Sequence, residues 1–174
     1  MTTFKQFISE SPNTLVEMIQ RDCKPFLDQC GGHTIYRGIA GAKRTNYSTL
    51  TIDGGEKTQL WDRRYVRMNR QPLNTATEKS KEIDDLLEKD FGWRPRSQGL
   101  FVSGYPQQFA YGITNLIFPI GEFKFVWSQH VMDLWTAAGG RNFHQSLENF
   151  VHRSEYKDTD FKEAIASENE IMIR

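Results

Sequence analysis

An excess of charge of either sign is missing from this chain. Its 174 residues carry 22 Lys plus Arg against 22 Asp plus Glu, so no overall field draws it to nucleic acid or a membrane surface. Any basic site has to be local. Cysteine is scarce: Cys23 and Cys30 lie seven apart in a stretch that reads as helix and form no C-x-x-C pair, which points to a reduced protein and away from a disulfide framework. Histidine is limited to His33, His130, His144 and His152, scattered too widely to suggest a metal site. No apolar run reaches membrane-spanning length, and the first residues lack the apolar core of a secretory signal, so a soluble, unexported protein is expected. Gly38, Gly41, Gly54 and Gly55 have neither G-x-G-x-x-G nor Walker spacing, which excludes a Rossmann-type phosphate loop. Internal repeats and low-complexity segments are also absent.

What is present fits one domain of ordinary size. Charge is uneven along it, with four arginines and one aspartate in WDRRYVRMNRQP (61–72) and an acid-rich stretch from Glu148 to Glu170. Helical spacing of Leu15, Met18, Ile19, Phe26 and Leu27 predicts a helix from Asn13 to Gln29 that Pro25 bends or interrupts and Gly31-Gly32 ends. HTIYRGI reads as a strand, and NYSTLTID as a second strand or ordered loop. Thr75 and Glu78 form a capping box for a helix whose stripe is Ile83, Leu86, Leu87 and Phe91, closed by Gly92. GLFVSG is a buried strand, and PQQFAYG a short helix between Pro106 and Gly112. NLIFPIG and EFKFVW are two strands joined by a turn at Gly121. SQHVMDLWTAAGG, RNFHQSLENFVHR and DTDFKEAIAS are helices, and EIMIR is a final strand. Without regular strand-helix alternation, the expected class is α+β.

Three apolar strands carry polar residues that stand out. Arg37 sits in TIYRGI, Ser103 ends the apolar run of LFVSG, and Glu168 and Glu170 lie two apart at a strand start, where their side chains would share a face. Each taken alone has a plain structural reading: an ion-pairing arginine, a turn serine, a solvated acidic face. Together and in this order they resemble the Arg-Ser-Glu class of mono-ADP-ribosyltransferases, over about Thr34 to Arg174. Arg37 in YRG matches that family's first-strand arginine, Ser103 in FVSG its serine element, and Glu168-Asn169-Glu170 its Glu-x-Glu motif. The serine element is VSG where the family has Ser-Thr-Ser.

The resemblance implies a split β-sheet core with flanking helices and NAD as co-substrate, without a metal. It also implies roles. Glu170 would stabilise the oxocarbenium character that develops on ribose as nicotinamide leaves. Glu168 would orient or deprotonate the acceptor, with arginine the preferred acceptor. Arg37, with Gly38 beside it, would hold the dinucleotide phosphates, and Ser103 would hold Glu170. Tyr105, Phe109 and Tyr111 offer flat surfaces for nicotinamide, or simply fill the core. Arg63, Arg64, Arg67 and Arg70 form an additional phosphate clamp, a surface for an acidic target, or a solvated loop.

MTTFKQFISE places Phe4, Phe7 and Ile8 at spacings of one helical face, ahead of the helix-breaking Ser11-Pro12. It resembles the capsid-targeting peptide of T-even phage internal head proteins, which a prohead protease cuts after a Glu preceded two residues earlier by Ile or Leu, as in Ile8-Ser9-Glu10. The alternative is an amphipathic helix packed on the domain. The resemblance implies a propeptide over 1–10 and a single transferase-like domain over 11–174, with the prohead scaffold, the prohead protease and a host protein as partners. Its implied course runs from the virion head interior to the bacterial cytoplasm. A catalytically inactive relative that inhibits a host defence protein, or a structural part of the virion, is the competing expectation.

Overall fold

The computed structural model describes residues 12–39, 49–52, 55–58, 65–71, 77–106, 113–138 and 146–174. They form a mixed α+β domain of helices around small antiparallel sheets. In chain order the elements are α1 (Pro12–Asp22), α2 (Lys24–Cys30), β1 (Ile35–Ile39), β2 (Thr49–Ile52), β3 (Gly55–Thr58), α3 (Thr77–Phe91) and α4 (Pro95–Gln98). They continue with β4 (Leu100–Val102), β5 (Ile113–Ile117), β6 (Phe125–Trp127), α5 (Leu134–Ala138), α6 (Leu147–Arg153), α7 (Phe161–Ala166) and β7 (Ile171–Ile173).

β7 is the centre of the domain. It pairs antiparallel with β4 on one side, Phe101 opposite Met172, and with β6 on the other, Val126 opposite Met172. All three of its residues are buried, which requires cover on both faces of the sheet. Alternation along the strands supplies it. Val102, Phe125, Trp127, Ile171 and Ile173 point to one core with Phe26 of α2 and Phe161 of α7. Phe101, Val126 and Met172 point to the other, with Ile83 and Leu87 of α3, Leu134 of α5, and Phe150 and Val151 of α6. At about 1.5–3 kcal/mol per fully buried large apolar side chain, these two cores hold the sheet between its helices.

Among the described residues, β1 reaches this sheet through one antiparallel bridge. The Tyr36 N–H donates to the Ser103 carbonyl (2.8 Å) and the Ser103 N–H to the Tyr36 carbonyl (3.1 Å). The other edge of β1 pairs with β5, Arg37 opposite Asn115. The strands therefore run spatially β5-β1-β4-β7-β6. β2 and β3 pair with each other as a separate hairpin.

Some expectations hold and others need correction. The first helical stretch is interrupted as expected: it is two helices that part at Cys23, because Pro25 withholds a backbone donor and opens a new first turn. Both cysteines are buried thiols, Cys23 between the helices and Cys30 at the end of α2. Gly121 does make a turn, with φ +72° and its N–H donating to the Asp22 carbonyl (2.7 Å). The strands flanking it, however, pair with different partners, β5 with β1 and β6 with β7, and form no hairpin. The helix expected from Ser128 starts at Leu134, where the Asp133 carboxylate accepts the Thr136 N–H at 2.6 Å. The stripe of α3 holds, with Ile83 and Leu87 buried and Leu86 and Phe91 packed against the same core. Thr75 of the capping box, the PQQFAYG helix beyond Pro106 and the peptide 1–10 lie outside the described residues.

Candidate functional site

Strand pairing carries the three sequence-selected positions to one edge of the domain. Arg37 is in β1, Ser103 follows β4, and Glu170 precedes β7, so consecutive neighbours in the sheet contribute one each. The Arg37 guanidinium crosses to β4, where Nη1 donates to the Phe101 carbonyl (3.0 Å). Gly38 continues β1 opposite Thr114.

Glu170 is gripped through its own backbone and through the side chain of its neighbour. Its N–H donates to the Met132 carbonyl (2.9 Å), and the buried amide of Asn169 donates to the Ser128 (2.9 Å) and Gln129 (3.1 Å) carbonyls. The Leu134 N–H donates back to the Glu170 carboxylate. Segment 128–134 thus clasps 169–170, and β7, which follows directly, pairs with β4. Burial, followed by the nearby Asp133 carboxylate, pushes Glu170 up to about 7, against the pull of Arg96, the Leu134 N–H and Arg70.

Glu168 and Glu170 do not share a face. The strand begins only at Ile171, and Glu168 sits in the left-handed region (φ +64°), exposed, as the residue that ends α7. Ser103 is buried, and its hydroxyl donates to the Glu168 carbonyl (2.8 Å) while accepting the Tyr105 N–H (3.1 Å). The hydroxyl therefore holds the backbone of the turn, where the sequence suggested that it would hold the Glu170 side chain. Gly104 lets this turn close against α7: a Cβ there would stand 1.8 Å from the Ile165 carbonyl oxygen.

Two further arginines enter from elsewhere in the chain. Arg70 is fixed by its N–H to the Ser97 carbonyl (2.9 Å), by Nη1 to the Gly99 carbonyl (3.2 Å), and by its guanidinium over the Phe101 ring, 4.5 Å from the centroid. Arg96 is buried on α4, a single turn opened by Pro95 and held by Asp84 of α3, whose carboxylate accepts the Arg96 (2.7 Å) and Ser97 (3.0 Å) N–H groups. Burial, above all, lowers all three guanidiniums: Arg37 to about 10, assisted by Arg70; Arg70 with Arg96 adding repulsion; Arg96 against the pull of Glu170 and Asp84. All three feel the attraction of Glu170. The buried hydroxyl of Tyr156 has no hydrogen-bond partner among the described residues, and burial followed by Glu170 raises its pKa.

Of the arginine-rich run, Arg70 belongs to this cluster and Arg67 is exposed, while Arg63 and Arg64 lie outside the described residues. Tyr105 is described and exposed; Phe109 and Tyr111 are not among the described residues. Nothing in the sequence ties Arg96, Asp133 and Tyr156 to Glu170, because no spacing links α4, the residue before α5 and the turn after α6 to it. Asn169 carries no signal there beyond being the middle of a Glu-x-Glu pair. Among the described residues no group of three or more His, Cys, Asp or Glu could hold a metal ion. No helix among them is long and apolar enough to cross a membrane.

No protein-family model, no curated protein and no solved structure matches this chain.

Proposed function

We propose that this protein is an NAD-dependent mono-ADP-ribosyltransferase acting on a host macromolecule, a protein in this reading, with an ADP-ribosyltransferase-like split sheet as its core. The observation that carries the reading is the convergence of Arg37, Ser103 and Glu170 from three neighbouring strands, with Arg37 and Glu170 close enough to feel each other's charge. In this reading Arg37, already partly buried and held by the Phe101 carbonyl, takes the dinucleotide phosphates. The bond between ribose C1 and the nicotinamide nitrogen breaks, its electron pair leaving with nicotinamide, and the ionised Glu170 carboxylate stabilises the positive charge left on the sugar. The acceptor's nucleophile bonds to C1 and gives up its proton to Glu168, whose exposure on the turn suits a group that meets an incoming partner. Ser103 serves by fixing the turn that carries Glu168. Because Glu170 titrates at about 7, the working ionised form accumulates as pH rises through neutrality.

MTTFKQFISE supports delivery from a phage head, with trimming after Glu10 and release into the bacterial cytoplasm. An enzyme suits such delivery because few copies act on many targets. The second reading, an inactive relative that inhibits a host protein, is favoured by the engagement of the Ser103 hydroxyl with backbone in place of Glu170.

The test is transfer of labelled ADP-ribose from NAD into bacterial lysate, comparing wild type with Glu170→Gln. Labelled bands that vanish in the variant are expected. A folded wild-type protein that neither labels the lysate nor consumes NAD would refute the transferase reading and leave the inhibitor.

A further inference from the structure

We infer that Arg70 joins Arg37 in a two-arginine cradle for a diphosphate group, built on Phe101 next to the start of β7. A single residue brings the two guanidiniums together: Arg37 Nη1 donates to the carbonyl of Phe101 at 3.0 Å, and Arg70 lies over its ring at 4.5 Å. Arg70 is not a loosely solvated side chain. Its backbone N–H is fixed to Ser97 and its Nη1 to Gly99, so the guanidinium is already ordered where it stands. Each guanidinium offers five N–H donors in a rigid fork, and the carbonyls of Phe101 and Gly99 take one apiece.

The electrostatics agree with this geometry. Arg37 is destabilised by Arg70, Arg70 by Arg96, and both are attracted by the one carboxylate of Glu170, itself pushed toward its neutral form. Among the described residues, the guanidiniums of Arg37 and Arg70 together meet one carboxylate, Glu170, that is itself pushed toward its neutral form, which leaves the pair positive on balance. A diphosphate carries several negative charges on two phosphorus centres, which is the chemistry that a pair of forked guanidiniums recognises. The assignment deepens the transferase reading and rests on it for the identity of the natural ligand, the pyrophosphate of a dinucleotide. The cradle itself rests on the contacts at Phe101.

Calorimetric titration with inorganic pyrophosphate tests it. Wild type is expected to bind. Arg70→Lys keeps the charge but loses the fork and the stacking, and is expected to bind at least about tenfold more weakly. Glu170→Gln removes the competing carboxylate and is expected to bind more tightly. Arg153→Ala, on exposed α6 surface, is expected to match wild type. Thermal unfolding of each variant separates lost binding from lost folding, and the gain in Glu170→Gln cannot come from misfolding. No binding by folded wild type, or equal binding by folded Arg70→Lys, would overturn the cradle. NAD consumption is measured separately: pyrophosphate binding that needs Arg70, in a protein that leaves NAD intact, removes the transferase reading and keeps the cradle.

Discussion

Replacing Glu170 with Gln should make the folded protein more stable in mild alkali and leave it nearly unchanged in mild acid. Glu170 is held at about 7 in the folded protein, against 4.5 for the ordinary side chain. The folded state therefore binds this proton more tightly than the unfolded chain does. The stabilisation that the proton provides is complete below about pH 4.5 and is lost as pH rises through about 7. At about 1.4 kcal/mol per pH unit, the ionised carboxylate costs roughly 3 kcal/mol at pH 8. Gln keeps an oxygen to accept the Leu134 N–H but turns an amide donor toward the arginines, so a net gain of about 1–3 kcal/mol is the working expectation. Urea unfolding of both proteins at pH 5 and pH 8 measures it. The variant's stability relative to wild type should rise between the two pH values. A difference that is constant with pH, or that turns against the variant at pH 8, would show that Arg70 and Arg96 outweigh burial and hold Glu170 ionised.

Two predictions concern the turn that carries the acidic residues. Ser103→Ala removes the bond to the Glu168 carbonyl and the acceptor for the Tyr105 N–H at a buried position, and should cost about 1–3 kcal/mol in denaturant unfolding. In the proposed transferase, lysate labelling falls with it, since the Glu168 backbone loses its tether. Gly104→Ala should be worse, because its Cβ would stand 1.8 Å from the backbone oxygen of Ile165 and no side-chain rotation relieves that. A clear drop in melting temperature is expected, and a variant as stable as wild type would mean that β4 and α7 separate easily.

Much of the local structure was legible. The stripe Ile83, Leu86, Leu87, Phe91 announced α3, and the apolar runs LFV, FVW and IMI announced β4, β6 and β7, because period and β-branching act within a few residues. The errors fell where a distant partner decides. The two strands joined by the turn at Gly121 were legible, but not their partners: one pairs with β1 and the other with β7, which no residue near the turn announces. Glu168 and Glu170 shared a face only if the strand began early, and the hydrogen bonds of Ser103 and Asn169 impose a turn there instead.

The sequence by itself determined that the class is mixed α+β and that Arg37, Ser103 and Glu170 end up on strands or at their ends, since polar residues within or bounding apolar runs mark those places. Only the tertiary structure decided what surrounds Glu170. Arg70, Arg96, Asp133 and Tyr156 come from four segments with no common spacing, and they meet because β7 is buried between two cores that draw those segments onto its faces. Burial and charge at a point depend on distance in space, which residue order constrains only once the chain is packed.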